Sequence, residues 1–146
     1  MNASGHINEA FRIFCRRHGW RRTSQRRMVF SCLHGNLDHP RVDMVWDWVR
    51  ERLPEMSLDS VYRILDEFAA AGAVRRLEIG KVMRYDFDLA PHGHYVCLEC
   101  GRIRDFPLDL FPGVEEACRG LGEVTSVELL VRGKCRACRE RGAARV

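Results

Sequence analysis

The chain has 146 residues, enough for one domain or two small ones. Its 46% hydrophobic and 30% charged residues exclude an intrinsically disordered chain, and no apolar run is long enough to span a bilayer. We therefore expect a globular cytoplasmic protein with no membrane role, and no secretory leader opens the sequence. In the reducing cytoplasm, its seven cysteines favour metal binding or redox chemistry over disulfides.

The net charge of +4 is unevenly distributed along the chain. Residues 1–84 contain 15 Lys/Arg against 10 Asp/Glu, whereas residues 85–146 contain 9 against 10. A basic half beside a nearly neutral half suggests that the first meets an anionic partner such as nucleic acid. A solvated arginine-rich face would give the same count.

The first half of the chain predicts helices followed by a hairpin. Apolar residues recur at helical spacing in 7–18, 24–35, 42–52 and 58–72. Thr23 and Ser57 are suited to cap the second and fourth helices, and Gly72 to follow the fourth. Two strands, 73–79 and 81–87, then meet at Gly80-Lys81. This order is typical of a winged helix-turn-helix domain.

A winged helix-turn-helix places its last helix, here 57–71, in the major groove of DNA. Tyr62 and Arg63 are then candidates for base and phosphate contacts. Arg22, just before the second helix, and Arg26 and Arg27 within it would support contacts with the DNA backbone. The alternative is a small helical domain in which Tyr62 packs and the arginines are only solvated.

The second half predicts a small α/β unit. Short strands are expected at 92–98, 102–106 and 124–132, around one helix at about 112–120. The segment 86–93, which contains Pro91 and Gly93, is the best candidate for a linker.

Two C-x-x-C pairs, Cys97/Cys100 and Cys135/Cys138, provide four thiolates. Four thiolates complete a closed tetrahedral metal site, which would connect the end of this unit to its beginning. The alternatives are a redox dithiol pair and an iron site of rubredoxin type. The remaining cysteines are Cys15, Cys32 and Cys118, and we expect them to be buried apolar residues.

A second candidate metal site has harder ligands. His92 and His94 are two residues apart, so on a strand both imidazoles point to the same side. Asp86 and Asp105 flank the pair, and His39 could add a further nitrogen. Each of these residues alone is more often a surface or hydrogen-bonding residue than a ligand.

Together these motifs make the chain resemble the ferric uptake regulator (Fur) family of metal-dependent bacterial repressors. The resemblance runs from Arg21 to Cys138, with the motifs in one fixed order. They are Arg22-x-Thr-x-Gln-Arg26, His39-Pro40, Ser57-x-x-Ser-Val-Tyr-Arg63, Tyr85-Asp-Phe87, His92-x-His94-x-x-Cys97-x-x-Cys100-Gly101 and Cys135-x-x-Cys138.

The resemblance implies an α+β homodimer that represses transcription and is not an enzyme. Residues 1–86 would form a winged-helix domain on double-stranded operator DNA, 86–93 a hinge, and 94–146 a dimerisation and metal-binding domain. It assigns structural Zn(II) to Cys97, Cys100, Cys135 and Cys138. It assigns regulatory Fe(II) or Mn(II) to His39, Asp86, His92, His94 and Asp105. Expected DNA contacts are Arg22, Arg26, Ser57, Ser60, Tyr62 and Arg63.

Asp105 helps to decide which branch of the family the chain resembles. Iron-uptake regulators tend to carry Glu here, whereas the shorter carboxylate resembles the peroxide-sensing PerR branch. The segment before Cys135 also lacks an additional histidine that many iron-uptake regulators carry. In the PerR branch, hydrogen peroxide reacts with bound Fe(II) and a ligand histidine is oxidised, here His39 or His94. We therefore expect a peroxide sensor controlling oxidative-stress genes, with Fe(II)-dependent repression of iron-acquisition genes as the alternative.

Two other classes of protein share parts of this pattern. Non-haem iron oxygenases also bind their metal through two histidines and a carboxylate. This chain, however, has no evident substrate domain, and hydrogen peroxide is the only small molecule expected to react with it. A zinc-ribbon protein that binds RNA or a protein partner is the other class.

Overall fold

The computed structural model describes residues 3–108, 113–123 and 127–143. The chain divides into two compact units, Met1–Leu89 and Ala90–Val146. This boundary falls inside the 86–93 segment expected to be a linker. The predicted helix start at Pro112 and the first residues of the predicted 124–132 strand lie outside the described residues.

The first unit begins with helices that follow the predicted periodicity. They are α1 (Ala3–Arg17), α2 (Ser24–Leu33), α3 (Val42–Arg50) and α4 (Leu58–Ala70). The hydroxyl oxygens of Thr23 and Ser57 accept from the backbone N–H groups of Arg26 and Ser60, each at 3.2 Å. Such caps contribute about 1 kcal/mol each because they satisfy N–H groups that the helix leaves unpaired. None of the described helices is long and apolar enough to cross a membrane.

Aromatic side chains form the centre of this unit's core. The Phe14 ring lies 4.9 Å from Phe30 of α2 and 5.1 Å from Phe68 of α4, measured between ring centroids. Val45 and Val49 of α3 are fully buried in the same cluster. Phe30 and Phe68 are also fully buried, so the helices are fixed by side chains that the 3.6-residue period places inward.

A two-stranded antiparallel hairpin completes the first unit. Its strands are β1 (Arg75–Ile79) and β2 (Val82–Asp86), which pair from Arg75↔Asp86 to Ile79↔Val82. Gly80 makes the tight turn at a φ of +69°, a conformation that favours glycine. Helices followed by this hairpin give the predicted winged-helix architecture, with β1–β2 as the wing.

The described elements of the second unit are β3 (His92–Cys97), β4 (Ile103–Pro107), the short helix α5 (Val114–Ala117), β5 (Leu130–Gly133) and α6 (Arg136–Ala143). Its strands form a three-stranded sheet in the order β4-β3-β5. β3 pairs antiparallel with β4 and parallel with β5. The last strand begins later than predicted. Residues 127–129 of the predicted 124–132 strand have no strand structure, and β5 begins at Leu130.

Gly93 lies inside β3, where the sheet leaves no space for a side chain. A Cβ atom there would lie only 2.4 Å from the ring of Phe106 on β4. Any other residue would displace that ring or the strand, so Gly93 permits the close packing that holds β3 against β4.

Candidate metal and nucleic-acid sites

The four predicted cysteines form one cluster in the second unit. The sulfur atoms of Cys97, Cys100, Cys135 and Cys138 all lie within 4.8 Å of one another. The Sγ atoms of Cys100 and Cys135 are 3.9 Å apart. Four sulfurs at about 2.3 Å from a tetrahedral zinc ion are separated by roughly 3.8 Å, so this spacing fits Zn(II).

The backbone around the cluster explains why the cysteines meet. Cys97 ends β3, and Gly101 turns the chain at a φ of +68° just after Cys100. Cys135 precedes α6, and its backbone N–H donates to the Cys97 sulfur at 3.3 Å. Cys138 lies one helical turn later and is buried. The two C-x-x-C knuckles lie near the beginning and the end of the unit in sequence, and the fold brings their sulfur atoms together.

The charges of the cluster also fit a divalent cation. Backbone N–H groups of Cys100 and Cys135 lower the pKa of Cys97 to about 6. The Arg141 guanidinium donates to the Cys138 sulfur at 3.1 Å, yet burial and the neighbouring thiols raise the pKa of Cys138 to about 12. One thiolate therefore forms readily, whereas four adjacent thiolates need the charge of a metal ion.

A second group of potential ligands lies along β3 and β4 of the same sheet. His92 and His94 alternate along β3, and His94 pairs with Asp105 of β4. The two imidazole Nε2 atoms are 2.9 Å apart, and His94 Nε2 is 3.8 Å from Asp105 Oδ1. Two nitrogens bound at about 2.1 Å and at right angles would be roughly 3.0 Å apart, close to this distance.

His92 is held in an orientation suited to ligation. Its Nδ1 donates to the carbonyl of Ala90 at 2.8 Å, which assigns the proton to Nδ1 and makes Nε2 the metal-binding atom. His92 is 8% exposed and His94 5% exposed. Two nearly buried imidazoles and a carboxylate make this side of the sheet a suitable half-site for a divalent cation.

The first unit contributes another buried nitrogen–oxygen pair. His39 precedes α3 and Asp86 ends β2, and both are buried. His39 Nε2 lies 3.8 Å from Asp86 Oδ1, while Arg75 of β1 lies 3.6 Å from the other carboxylate oxygen. Like the His92–His94–Asp105 group, this pair offers an imidazole nitrogen and a carboxylate oxygen as possible metal ligands.

Four of the six predicted DNA-contact residues lie at the start of α4. Ser57 and Ser60 share a hydrogen bond of 2.9 Å between their hydroxyls, and Tyr62 is 45% exposed. Arg63 donates to Glu67 at 2.8 Å. These residues carry hydroxyl, phenol and guanidinium groups, which are the types of group that proteins use to contact nucleic acids.

Arg26 differs from the other predicted contacts because it joins two helices of the unit. Its Nη2 lies 2.7 Å from Glu67 Oε2 of α4, and its guanidinium stacks over Trp20 at 5.8 Å. Arg26 thus connects α2 to α4. Residues far apart in sequence make this pair, so sequence spacing gave no indication of it.

Exposed arginines in residues 16–27, from the end of α1 to the first turn of α2, form a larger basic segment than the sequence analysis selected. Arg22 and Arg27 belong to it, and so do arginines that were not selected, namely Arg16, Arg17 and Arg21. In the part of the chain that the structure describes, none of these five forms a salt bridge with a carboxylate. Arg50, by contrast, pairs with Asp47 at 2.9 Å. The high density of arginine in residues 16–27 could have identified this basic segment from the sequence.

Comparisons with known proteins agree on one family to which the chain is similar. The model of the ferric uptake regulator family matches residues 17–129. The peroxide-responsive repressor PerR of Staphylococcus epidermidis is 30% identical over 130 residues, 87% of each chain. The Helicobacter pylori ferric uptake regulator Fur, described as having three functional metal-binding sites, aligns with a TM-score of 0.73 at 25% identity, covering 94% of this chain and 95% of that one. The Pseudomonas aeruginosa ferric uptake regulator with manganese gives 0.72 at 25% identity, over 86% and 97%.

Proposed function

This chain belongs to the ferric uptake regulator family, and we propose that it is a repressor whose regulatory metal site senses hydrogen peroxide. As a member of the family it is a metal-responsive, DNA-binding transcriptional regulator and not an enzyme. Regulators of this family bind operator DNA and act as dimers. Its place of action would be the cytoplasm, and peroxide would relieve repression of oxidative-stress genes.

The proposed regulatory site joins the two buried donor groups described above. His39 and Asp86 would come from the winged-helix unit, and His92, His94 and Asp105 from the second unit. Three nitrogens and two carboxylates suit Fe(II) or Mn(II) better than they suit a soft metal. The observation that carries the proposal is the close, buried His92–His94 pair beside Asp105.

A ligand set divided between two units would convert metal binding into control of DNA binding. Ligands from both units can bind the same metal ion only in a restricted range of domain arrangements. Ligation would therefore favour the arrangement in which the two winged-helix units of a dimer match an operator. The second unit would provide the dimer contact, and its four-cysteine cluster would hold Zn(II) permanently.

Peroxide sensing is supported by Asp105 and by the PerR relatives. His39 and His94 would be among the residues that hold Fe(II), and the metal would supply the redox chemistry by which hydrogen peroxide takes two electrons, overall, from one of these imidazoles. One peroxide oxygen would enter the imidazole ring of His39 or His94, and the other would leave as water. An oxidised imidazole binds metal poorly, so the two units would lose their connection and the operator would be released.

The test compares DNA binding by the Fe(II) and Mn(II) forms before and after dilute peroxide. An operator sequence would first be selected from a random duplex library with the Mn(II) form. We expect peroxide to abolish binding by the Fe(II) form, leave the Mn(II) form intact, and add the mass of one oxygen atom to the peptide containing His39 or His94. Survival of the Fe(II) form would exclude peroxide sensing.

Iron-dependent repression is the second candidate function. The similarity to iron-uptake regulators of Helicobacter pylori and Pseudomonas aeruginosa favours it. It requires the same regulatory ligands, and it differs in the expected response to peroxide. An Fe(II) form that binds its operator equally well before and after peroxide would support this alternative.

Replacing Arg22 with alanine should weaken DNA binding without changing its sequence preference. A lost phosphate contact lowers the slope of log affinity against log salt by about one. The matched control is Arg50→Ala, because Arg50 is paired with Asp47 and stacks on Trp46 at 4.5 Å. Equal salt slopes for Arg22→Ala and the unchanged protein would show that Arg22 does not contact DNA.

A further inference from the structure

The second strand of the wing holds the His39–Pro40 turn through three successive residues. Arg84 Nη1 donates to the His39 carbonyl at 3.1 Å, and the backbone N–H of Tyr85 donates to the Pro40 carbonyl at 3.0 Å. The carboxylate of Asp86 then lies 3.8 Å from His39 Nε2. Strand β2 thus fixes both the backbone of His39 and the surroundings of its imidazole.

The alternation of β2 explains how one strand can do this. Side chains two residues apart on a strand share a face, so Arg84 and Asp86 both point towards the turn. Tyr85 points the opposite way and is buried at 4% exposure. The core therefore anchors the strand through Tyr85 while the opposite face holds the turn.

His39 needs this support because its backbone conformation is unfavourable. Its φ is +48°, and it is the one non-glycine residue with a positive φ among those that the structure describes. A left-handed conformation is strained for a residue with a Cβ atom and persists only where the surrounding structure enforces it. Arg84 donates its hydrogen bond to the carbonyl oxygen of His39 itself, so it restrains the backbone at the residue whose φ is strained.

We propose that Arg84 is a positioning residue for the regulatory metal, and that it couples metal binding to the wing. This inference rests on the proposed function, in which His39 is a ligand. Arg84 holds the His39 backbone in the strained conformation that directs the imidazole towards Asp86. Because Arg84 belongs to the wing of the winged-helix unit that the proposed function places on DNA, a change in the wing alters His39, and ligation of His39 restrains the wing.

The coupling must also operate in the reverse direction. If bound metal increases DNA affinity through this contact, bound DNA increases metal affinity by the same factor. Arg84→Met keeps an unbranched, flexible side chain and removes the donor, so it should reduce both effects. Groups that orient a metal ligand typically change metal affinity by about 10–100-fold when they are removed.

The experiment measures Mn(II) affinity, with and without operator DNA, for zinc-loaded protein. Arg84→Met should weaken Mn(II) binding by about tenfold or more, and Arg84→Lys, which keeps a cationic donor, should recover part of the loss. The control is Arg76→Met, on the other strand of the same hairpin, where Arg76 pairs with the exposed Asp66. Thermal unfolding is followed for all variants.

The comparison with His39→Asn separates the possible outcomes. If His39→Asn loses the Mn(II) response and Arg84→Met retains it, Arg84 does not position the ligand, although the proposed function stands. If neither variant changes Mn(II) binding, the proposed metal site itself is wrong. Equal Mn(II) losses in Arg84→Met, Arg84→Lys and Arg76→Met, each matched by a lower melting temperature, would also overturn the inference, since they would indicate a structural effect.

Discussion

Replacing Cys135 with serine should remove the zinc and unfold the end of the second unit. Helix α6 has only eight residues, far too short to be stable alone, and Cys138 is its one buried residue among those whose side chains are described. Structural zinc sites contribute about 10–16 kcal/mol of apparent binding free energy, which this unit would lose. Zinc content and hydrogen exchange of α6 and β5 would measure the effect.

The first unit should survive this substitution because it has its own aromatic core. Cys118→Ser is the matched control, since Cys118 lies outside the cluster and should leave the zinc content at one per chain. Cys118 is also only partly buried, whereas the sequence analysis expected a buried residue there. Retention of zinc by Cys135→Ser, with normal exchange protection of α6, would show that zinc does not hold this helix.

Replacing His39 with asparagine should abolish the response of DNA binding to Mn(II). Asparagine tolerates the left-handed conformation at a φ of +48° better than alanine does, so the fold is preserved while the imidazole is lost. We expect Mn(II) affinity to fall by more than the roughly 100-fold that removal of an orienting group causes. Metal titration and DNA binding would be measured on zinc-loaded protein.

His6 provides the control for this substitution because it lies exposed on α1. His6→Asn should keep the full response to Mn(II). An unchanged response in His39→Asn would remove His39 from the ligand set, and loss of the fold would identify it as a structural residue.

Local sequence patterns predicted most of the fold. Thr23 and Ser57 mark helix starts, Gly80 marks the hairpin turn, and each acts through neighbours only a few residues away. The C-x-x-C spacing likewise predicted the cysteine cluster, because two thiols on one knuckle must approach the same metal. Such features depend on local geometry, which the sequence contains directly.

Features that depend on tertiary contacts could not be predicted in this way. The pairing of Arg26 with Glu67 and the contact of Arg84 with His39 join residues more than 40 positions apart. Helix α6 was also missed, because its polar sequence has no apolar periodicity and its buried residue Cys138 belongs to the cysteine cluster. The left-handed backbone of His39 follows from the strand packed against it.

DNA affinity as a function of Mn(II) concentration, measured with the zinc site filled throughout, tests the central claim most directly. If metal ligation controls the domain arrangement, saturating Mn(II) should raise operator affinity by about 5–150-fold, the usual range of allosteric coupling. The metal concentration at half-effect should match the Mn(II) affinity of the protein. Operator affinity that is the same with and without Mn(II) would contradict a regulatory metal site.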